Sequence, residues 1–203
     1  MDSLDGSDLD ILYDAPSECI QNGVLPHLTS FHREYLAAAT FFCLATGRPE
    51  GLDASPRGGE AGFVKALDDR HVTFADWTGN NRIESMRNLV EDDRIAMLFL
   101  FPGLSIFMRI NGRAHVSTAP ELLATLQEGG KTPKTAIVMA IDQVLFHCGR
   151  AINRAGLWSE EAKLDRHALP SVGQMKAAMS GGNAAEAEAI DASYDRTMRT
   201  DLY

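Results

Sequence analysis

Ser55 and Arg57 stand two residues apart in the segment Asp53-Ala54-Ser55-Pro56-Arg57-Gly58, a spacing that sets a hydroxyl and a guanidinium on one face of a strand. Such a pair can grip a single anion, with the guanidinium supplying a two-pronged fork. The same residues also suit a solvated turn with a surface arginine. Lys65 follows on the next strand. A second segment, Asp76-Trp77-Thr78-Gly79-Asn80-Asn81-Arg82, comes just before a helical pattern. Gly79 frees the backbone for a turn, and Asn80 or Asn81 can cap the helix, whose first N–H groups favour an anion. Arg82 opposes the helix dipole unless an anion sits nearby. The segment is therefore open to phosphate binding and to plain capping alike.

A third segment runs from Phe146 to Trp158 and carries His147, Cys148, Arg150 and Arg154. His147 and Cys148 look like a nucleophile pair, but consecutive strand residues point to opposite faces, so they are not expected to touch. Cys148 reads as a buried structural residue. His147, Arg150, Arg154 and Trp158 together suit a cleft for an anionic or aromatic ligand, or a core and turn with no ligand at all.

These segments must be positioned by short elements. The pattern predicts a helix over Thr29–Ala39 with Phe31, Tyr35 and Leu36 on one face. Strands follow at Phe41–Thr46, Leu52–Arg57, Gly62–Leu67 and His71–Trp77, joined by short turns into an antiparallel meander. A helix over Asn81–Glu91 presents Ile83, Met86, Leu89 and Val90, and strands are expected at Arg94–Phe101, Ile106–Ser117 and Thr135–Cys148. Pro120–Glu128 suits a short helix, and Ser171–Ser180 and Ala184–Met198 suit longer ones split by Gly181-Gly182. About six antiparallel strands with added helices make an α+β, mainly β fold, a small closed barrel with helical additions. Residues 1–28 are expected to form an arm, and residues 29–203 one domain that includes the C-terminal helices from about 171.

Composition narrows the function. The chain has 203 residues, 19 basic and 28 acidic, for a net charge of −9, which argues against nucleic acid as a partner. No run approaches the ~18 apolar residues of a membrane span, so no membrane partner is expected. The acidic start, MDSLDGSDLD, lacks the features of a signal peptide. Three widely spaced cysteines, Cys19, Cys43 and Cys148, offer neither a disulfide framework nor a zinc motif. A cytoplasmic protein without a metal is the expectation.

In order, Ser55-Pro56-Arg57-Gly58, Gly79-Asn80-Asn81-Arg82 with Asn88, Phe99–Gly103, Arg109-Ile110-Asn111-Gly112-Arg113-Ala114, and His147-Cys148 with Leu157-Trp158 resemble the pyridoxamine 5′-phosphate oxidase-like FMN-binding split-barrel proteins. Among these the chain is most similar to an FMN-dependent branch of unassigned substrate. The resemblance runs from about Phe31 to the closing Leu202-Tyr203, with Gly173 and Met175 included. It implies a split-barrel homodimer with FMN in clefts between subunits. Ser55, Arg57, Asn80, Asn81 and Arg82 would hold the FMN phosphate, and the strand end Phe74-Ala75-Asp76-Trp77 would run along the ring through its backbone. Arg109, His147, Arg150 and Trp158 would come from the partner subunit. The branch usually reads His-Cys-Ala-Lys-Ala and Arg-Ser where this chain has Gly149-Arg150 and Arg154-Ala155, differences that bear on the substrate.

The expected function is that of an FMN-dependent oxidoreductase acting on a small organic substrate. No side chain is assigned to catalysis, because flavin chemistry resides in the cofactor. The alternatives are a flavin carrier, sensor or store without turnover, and a partner-binding module acting through its C-terminal helices.

Overall fold

In the computed structural model, which describes residues 3–77, 79 and 81–200, the acidic arm carries two short helices, α1 (Gly6–Leu12) and α2 (Glu18–Asn22). Neither buries a residue. The arm then pairs through Leu25 with Val144. Helix α3 (Ser30–Ala38) follows, with Thr29 at its N-cap. Its inward face differs from expectation: His32 and Leu36 are buried, Tyr35 is half-buried, and Phe31 is 67% exposed. The reason is aromatic packing. His32 stacks on Phe146 at 4.8 Å, and Tyr35 meets both Phe146 and Phe101.

Strands β1 (Phe41–Arg48) and β2 (Gly51–Gly58) form a hairpin around Pro49-Glu50. After a loop come β3 (Lys65–Ala66) and β4 (His71–Asp76), then helix α4 (Glu84–Glu91), and strands β5 (Arg94–Leu100) and β6 (Ile106–Ser117). Helix α5 (Pro120–Thr125) leads to the long strand β7 (Thr135–Cys148). All seven strands join one antiparallel sheet in the order β2-β1-β5-β6-β7-β4-β3.

That order corrects the expected meander. The hairpins β1–β2 and β3–β4 are neighbours in sequence but lie at opposite ends of the sheet. Turn length reports only local pairing, and the loop after Gly58 carries the chain across. The sheet nonetheless curls on itself. Phe42 on β1 and Phe74 on β4 have ring centroids 5.1 Å apart, although β5, β6 and β7 lie between their strands. Among the described residues the end strands β2 and β3 are not paired with each other, so the barrel is split, as the family resemblance implies, and not closed as the strand pattern alone suggests. Pro56 sits on the edge strand β2, where a missing N–H costs no ladder bond.

Strict alternation fills the interior. Phe42, Leu44, Met97, Phe99, Met108, Ile110, Ile137 and Met139 are fully buried, and each additional fully buried large apolar side chain contributes about 1.5–3 kcal/mol. The register slips once, between Asn111 and Gly112. A Cβ on Gly112 would lie 1.9 Å from the Ala140 carbonyl oxygen, so the bulge there requires glycine.

The chain divides into two compact units, the first containing residues up to Asp76 with Arg82–Gly149, the second Trp77–Asn81 with the chain from Arg150. The second unit is helical: α6 (Arg150–Ala155), a single 3-10 turn (Glu160–Ala162), α7 (Val172–Ser180) and α8 (Ala184–Thr200). Helices α7 and α8 are joined through Asp191, which accepts hydrogen bonds from the Ser171 hydroxyl and from the Gly173 N–H at 2.7 Å. Both bonds hold the Asp191 carboxyl below its usual range, the Ser171 hydroxyl contributing most. Gly181, with φ 71°, ends α7 in the left-handed conformation. Among the described residues no helix is long and apolar enough to cross a membrane.

Candidate functional site

Strand β2 turns Asp53, Ser55 and Arg57 to its half-buried face, with Leu52, Ala54 and Pro56 outward. Arg57 donates to the Ser55 hydroxyl at 2.7 Å, to the Pro56 carbonyl at 2.9 Å and to the Ser85 hydroxyl at 3.3 Å. Ser85, in the first turn of α4 and 2% exposed, donates in turn to Asp53 at 2.6 Å. The guanidinium is thus oriented by hydroxyls and a peptide carbonyl. Among the described residues it forms no ion pair within 4.0 Å. Its charge stays available to an anion, and Ser55 retains a hydroxyl proton to donate.

The start of α4 differs from expectation. Its N-cap is Ile83, with no side-chain capping bond, and its first helical residue is Glu84. Asn81 has φ 60°, the left-handed region, which ends any helix reaching back to it. Asn81 therefore does not cap this helix as expected, and Asn80 lies outside the described residues. Arg82 lies in the lead-in, its Nε 4.0 Å from Glu84. The helix buries Met86 and Leu89 together with Ser85 and Asn88, while Ile83 is 39% and Val90 80% exposed. Asn88 is held by the Thr46 hydroxyl, to which it donates at 3.0 Å. The buried polar positions Ser85 and Asn88 displace the expected apolar stripe by one residue.

Strand β4 brings its end to the same region. Asp76 is half-buried, and burial pushes its carboxyl above the ordinary range against the opposing pull of Arg57 and Lys134. Strand β3 pairs with β4 only at Val72 and Thr73. Phe74, Ala75 and Asp76 therefore have a strand partner on the β7 side alone. Phe74 turns its ring into the core, so only its backbone is available to a ligand.

Arg109 and His147 occupy neighbouring strands, with Phe107 paired to His147 and Arg109 paired to Leu145. The Arg109 Nε is buried without a hydrogen-bond partner. Burial lowers the His147 pKa, and the Arg109 charge lowers it further, so the imidazole is neutral at pH 7. Cys148 is exposed, not buried as expected, because it ends β7 at the rim of the sheet, and it is in no disulfide. Trp77, Asn81, Arg150 and Trp158 belong to the second unit, where Arg150 opens α6. The first unit thus brings Ser55 and Arg57 together, and Arg109 near His147. Sequence reasoning missed Ser85 and Asp53 as parts of the first cluster. A serine in the first turn after a basic lead-in is the only signal that pointed to Ser85.

The family model for pyridoxamine 5′-phosphate oxidase matches residues 28–148, and the chain belongs to that family. The match covers the strands of the first unit and their helices. Solved structures are similar to part of the chain. HupZ of Group A Streptococcus is 16% identical, covering 59% of this chain and 98% of its own, with a TM-score of 0.49. A candidate pyridoxamine 5′-phosphate oxidase of Lactobacillus delbrueckii is 17% identical over 60% of this chain and 95% of its own, TM-score 0.47. An FMN-binding protein of Syntrophomonas wolfei is 13% identical over 56% and 82%, TM-score 0.44. No curated protein matches the chain.

Proposed function

We propose that this protein binds FMN and uses it as an oxidoreductase acting on a small organic substrate. The observation that carries the reading is Arg57, a half-buried cation held by Ser55 and Ser85 with no carboxylate in ion-pair contact among the described residues. Uncapped N–H groups at the start of α4 add partial positive charge beside it. Arg57, Ser55 and the start of α4 would hold the phosphate, with Arg82 in the lead-in. The one-sided strand end Phe74–Asp76 would offer backbone groups to the ring edge. When bound, the flavin supplies hydride or electron transfer; the chain supplies position and electrostatics.

The working form would be a homodimer. One row across the outer sheet face reads Cys43, Leu98, Arg109 and Leu145, each paired with the next, and Leu100 and Phe107 adjoin it. This apolar face includes the Arg109 Nε that lacks an acceptor. A second copy and its flavin would cover the one and supply the other. Arg109, His147, Arg150 and Trp158 would then face the ring of the partner's flavin, in a cytoplasmic enzyme. The test is FMN binding by purified protein: micromolar or tighter affinity for FMN, with riboflavin far weaker, supports the reading, and equal affinity for the two removes it.

A further inference from the structure

Helix α3 carries a histidine where a glutamate or glutamine usually stands. His32 is the third helical residue after the N-cap Thr29, the position from which such a side chain reaches back to the N-cap N–H. Here the imidazole does so: the Thr29 N–H donates to His32 Nδ1 at 3.0 Å, and the Thr29 hydroxyl stands 2.9 Å from the same nitrogen. Nδ1 is therefore an acceptor, and the ring is neutral with its proton on Nε2. The ring is only 4% exposed and stacks on Phe146 of β7 at an interplanar angle of 11°. Burial lowers its pKa, and the charge of His27 in the arm lowers it further. The arm enters at the same place. Leu25 and Val144 exchange both backbone hydrogen bonds, at 3.0 and 2.7 Å, and the Leu28 N–H donates to the Asp69 carbonyl at 2.7 Å.

We propose that His32 is a pH-sensitive latch: protonation of its ring uncaps α3 and releases the helix start and the arm's entry from the Phe146 end of β7, while the sheet stays folded. An imidazolium offers no acceptor to the Thr29 N–H, and a cation in the first turn opposes the helix dipole. The Phe146 face attracts such a cation, but only after the ring has given up both hydrogen bonds and carried a charge into a buried site. The surrounding groups do not offset that cost. Among the described residues no carboxylate oxygen lies within 4.0 Å of its ring nitrogens. On α3, Arg33 and Glu34 are exposed, and Tyr35 packs on the same Phe146 ring. On β7, His147 follows Phe146 and so points to the opposite face. In the β3–β4 turn, Asp69 meets the arm through its carbonyl, and the Asp68 carboxylate is engaged by the Arg70 N–H and by His71. The latch goes beyond the flavin reading and does not depend on it.

Amide hydrogen exchange of the purified chain between about pH 7.5 and about pH 5, expressed as protection over the intrinsic rate, reads the latch at two N–H groups. Arg33 donates to the Thr29 carbonyl within the first turn, and Leu28 reports the arm's entry. A released ring takes the ordinary histidine value of 6.5, so the latch is complete above that value and weakens as pH falls below it. With the latched ring neutral, protection at both amides should fall about tenfold by about pH 5.5 and roughly thirtyfold by about pH 5. Release is local, so exchange at these amides should not rise with small additions of urea, whereas exchange at Met97 and Ile110 in the sheet should. His32→Gln supplies the usual capping residue without a titrating ring and should abolish the fall with pH; His27→Gln should keep it. Protection that stays flat with pH overturns the latch. So do a fall that persists in His32→Gln, a fall lost in His27→Gln, or urea dependence equal to that of the sheet. If His32→Gln fails to fold, the His32 ring titration in the unaltered chain decides beside the urea series: a midpoint below 6.5 supports the latch, and one at or above it overturns it.

Discussion

The Ser85 hydroxyl of α4 accepts a hydrogen bond from an Arg57 nitrogen of β2 at 3.3 Å and donates its own to Asp53 at 2.6 Å. One buried hydroxyl therefore ties a helix start to an edge strand and aims a cation. If this cluster holds the FMN phosphate, Arg57→Ala should weaken FMN by about ten- to a hundredfold, since hydrogen bonds to charged groups contribute roughly 1.5–3 kcal/mol each. Ser85→Ala should weaken it less, through loss of orientation. Riboflavin, which has no phosphate, should bind both variants as it binds the parent. Flavin fluorescence quenching measures all of these, and a matching loss of riboflavin in Arg57→Ala would move the arginine away from the phosphate.

Local pattern made much of the scaffold legible. Ile106–Ser117 and Thr135–Cys148 are the strands expected, because apolar residues alternate along the first and fill the second. Ser55 and Arg57 share a face for the same reason of period. What was not legible depends on distant partners. His32 is inward because Phe146, more than a hundred residues away, offers it a ring to stack on. The positions of β2 and β3 at opposite ends of the sheet leave no trace in turn length. Ser85 carries no motif and matters through Arg57.

Asp76 sets a pH dependence. Burial raises its folded pKa above the unfolded value, with Arg57 and Lys134 only partly offsetting it. Between those two values the folded state binds more protons, so stability falls as pH rises, and the penalty is fully present at neutral pH. Asp76→Asn removes the ionisation. It should raise the melting temperature at pH 7 and change it less near pH 4. An equal shift at both values would assign the effect to packing instead.

Asp92 shows the reverse sign. Hydrogen bonds from the Arg94 side chain, then from its backbone, hold this half-buried carboxyl down to about 2. Its contribution is present above the unfolded pKa and is lost as pH falls through the folded one. Carbon-detected titration should place the Asp92 midpoint near the value given, and Arg94→Gln should return it toward an ordinary aspartate. A midpoint unchanged by Arg94→Gln would mean that the side-chain fork does not set it.

Gly149 tests a difference between this chain and the branch it resembles, where alanine is usual. A Cβ at Gly149 would lie 2.2 Å from the Ser105 carbonyl carbon and oxygen, and backbone cannot rotate aside as a flexible side chain can. Gly149→Ala should cost about 1–3 kcal/mol in urea unfolding, the usual range for overpacking. A neutral result would show that the Ser105 turn yields.

Leu98 lies at the middle of the outer sheet row, between Cys43 and Arg109, with its strand neighbours Met97 and Phe99 fully buried on the opposite face. A charge placed there should leave the core intact and spoil only what covers the outer face. If two copies meet on this row, Leu98→Lys should convert a dimer into a folded monomer, because a lysine opposite Arg109 adds a second cation without a counter-charge to an apolar interface. Flavin affinity should fall with it, since the sites are proposed to lie between subunits. Sedimentation and flavin titration on the same sample separate the outcomes. A monomeric parent that binds FMN tightly removes the dimer, and a dimeric Leu98→Lys variant with unchanged FMN affinity moves the interface to another face.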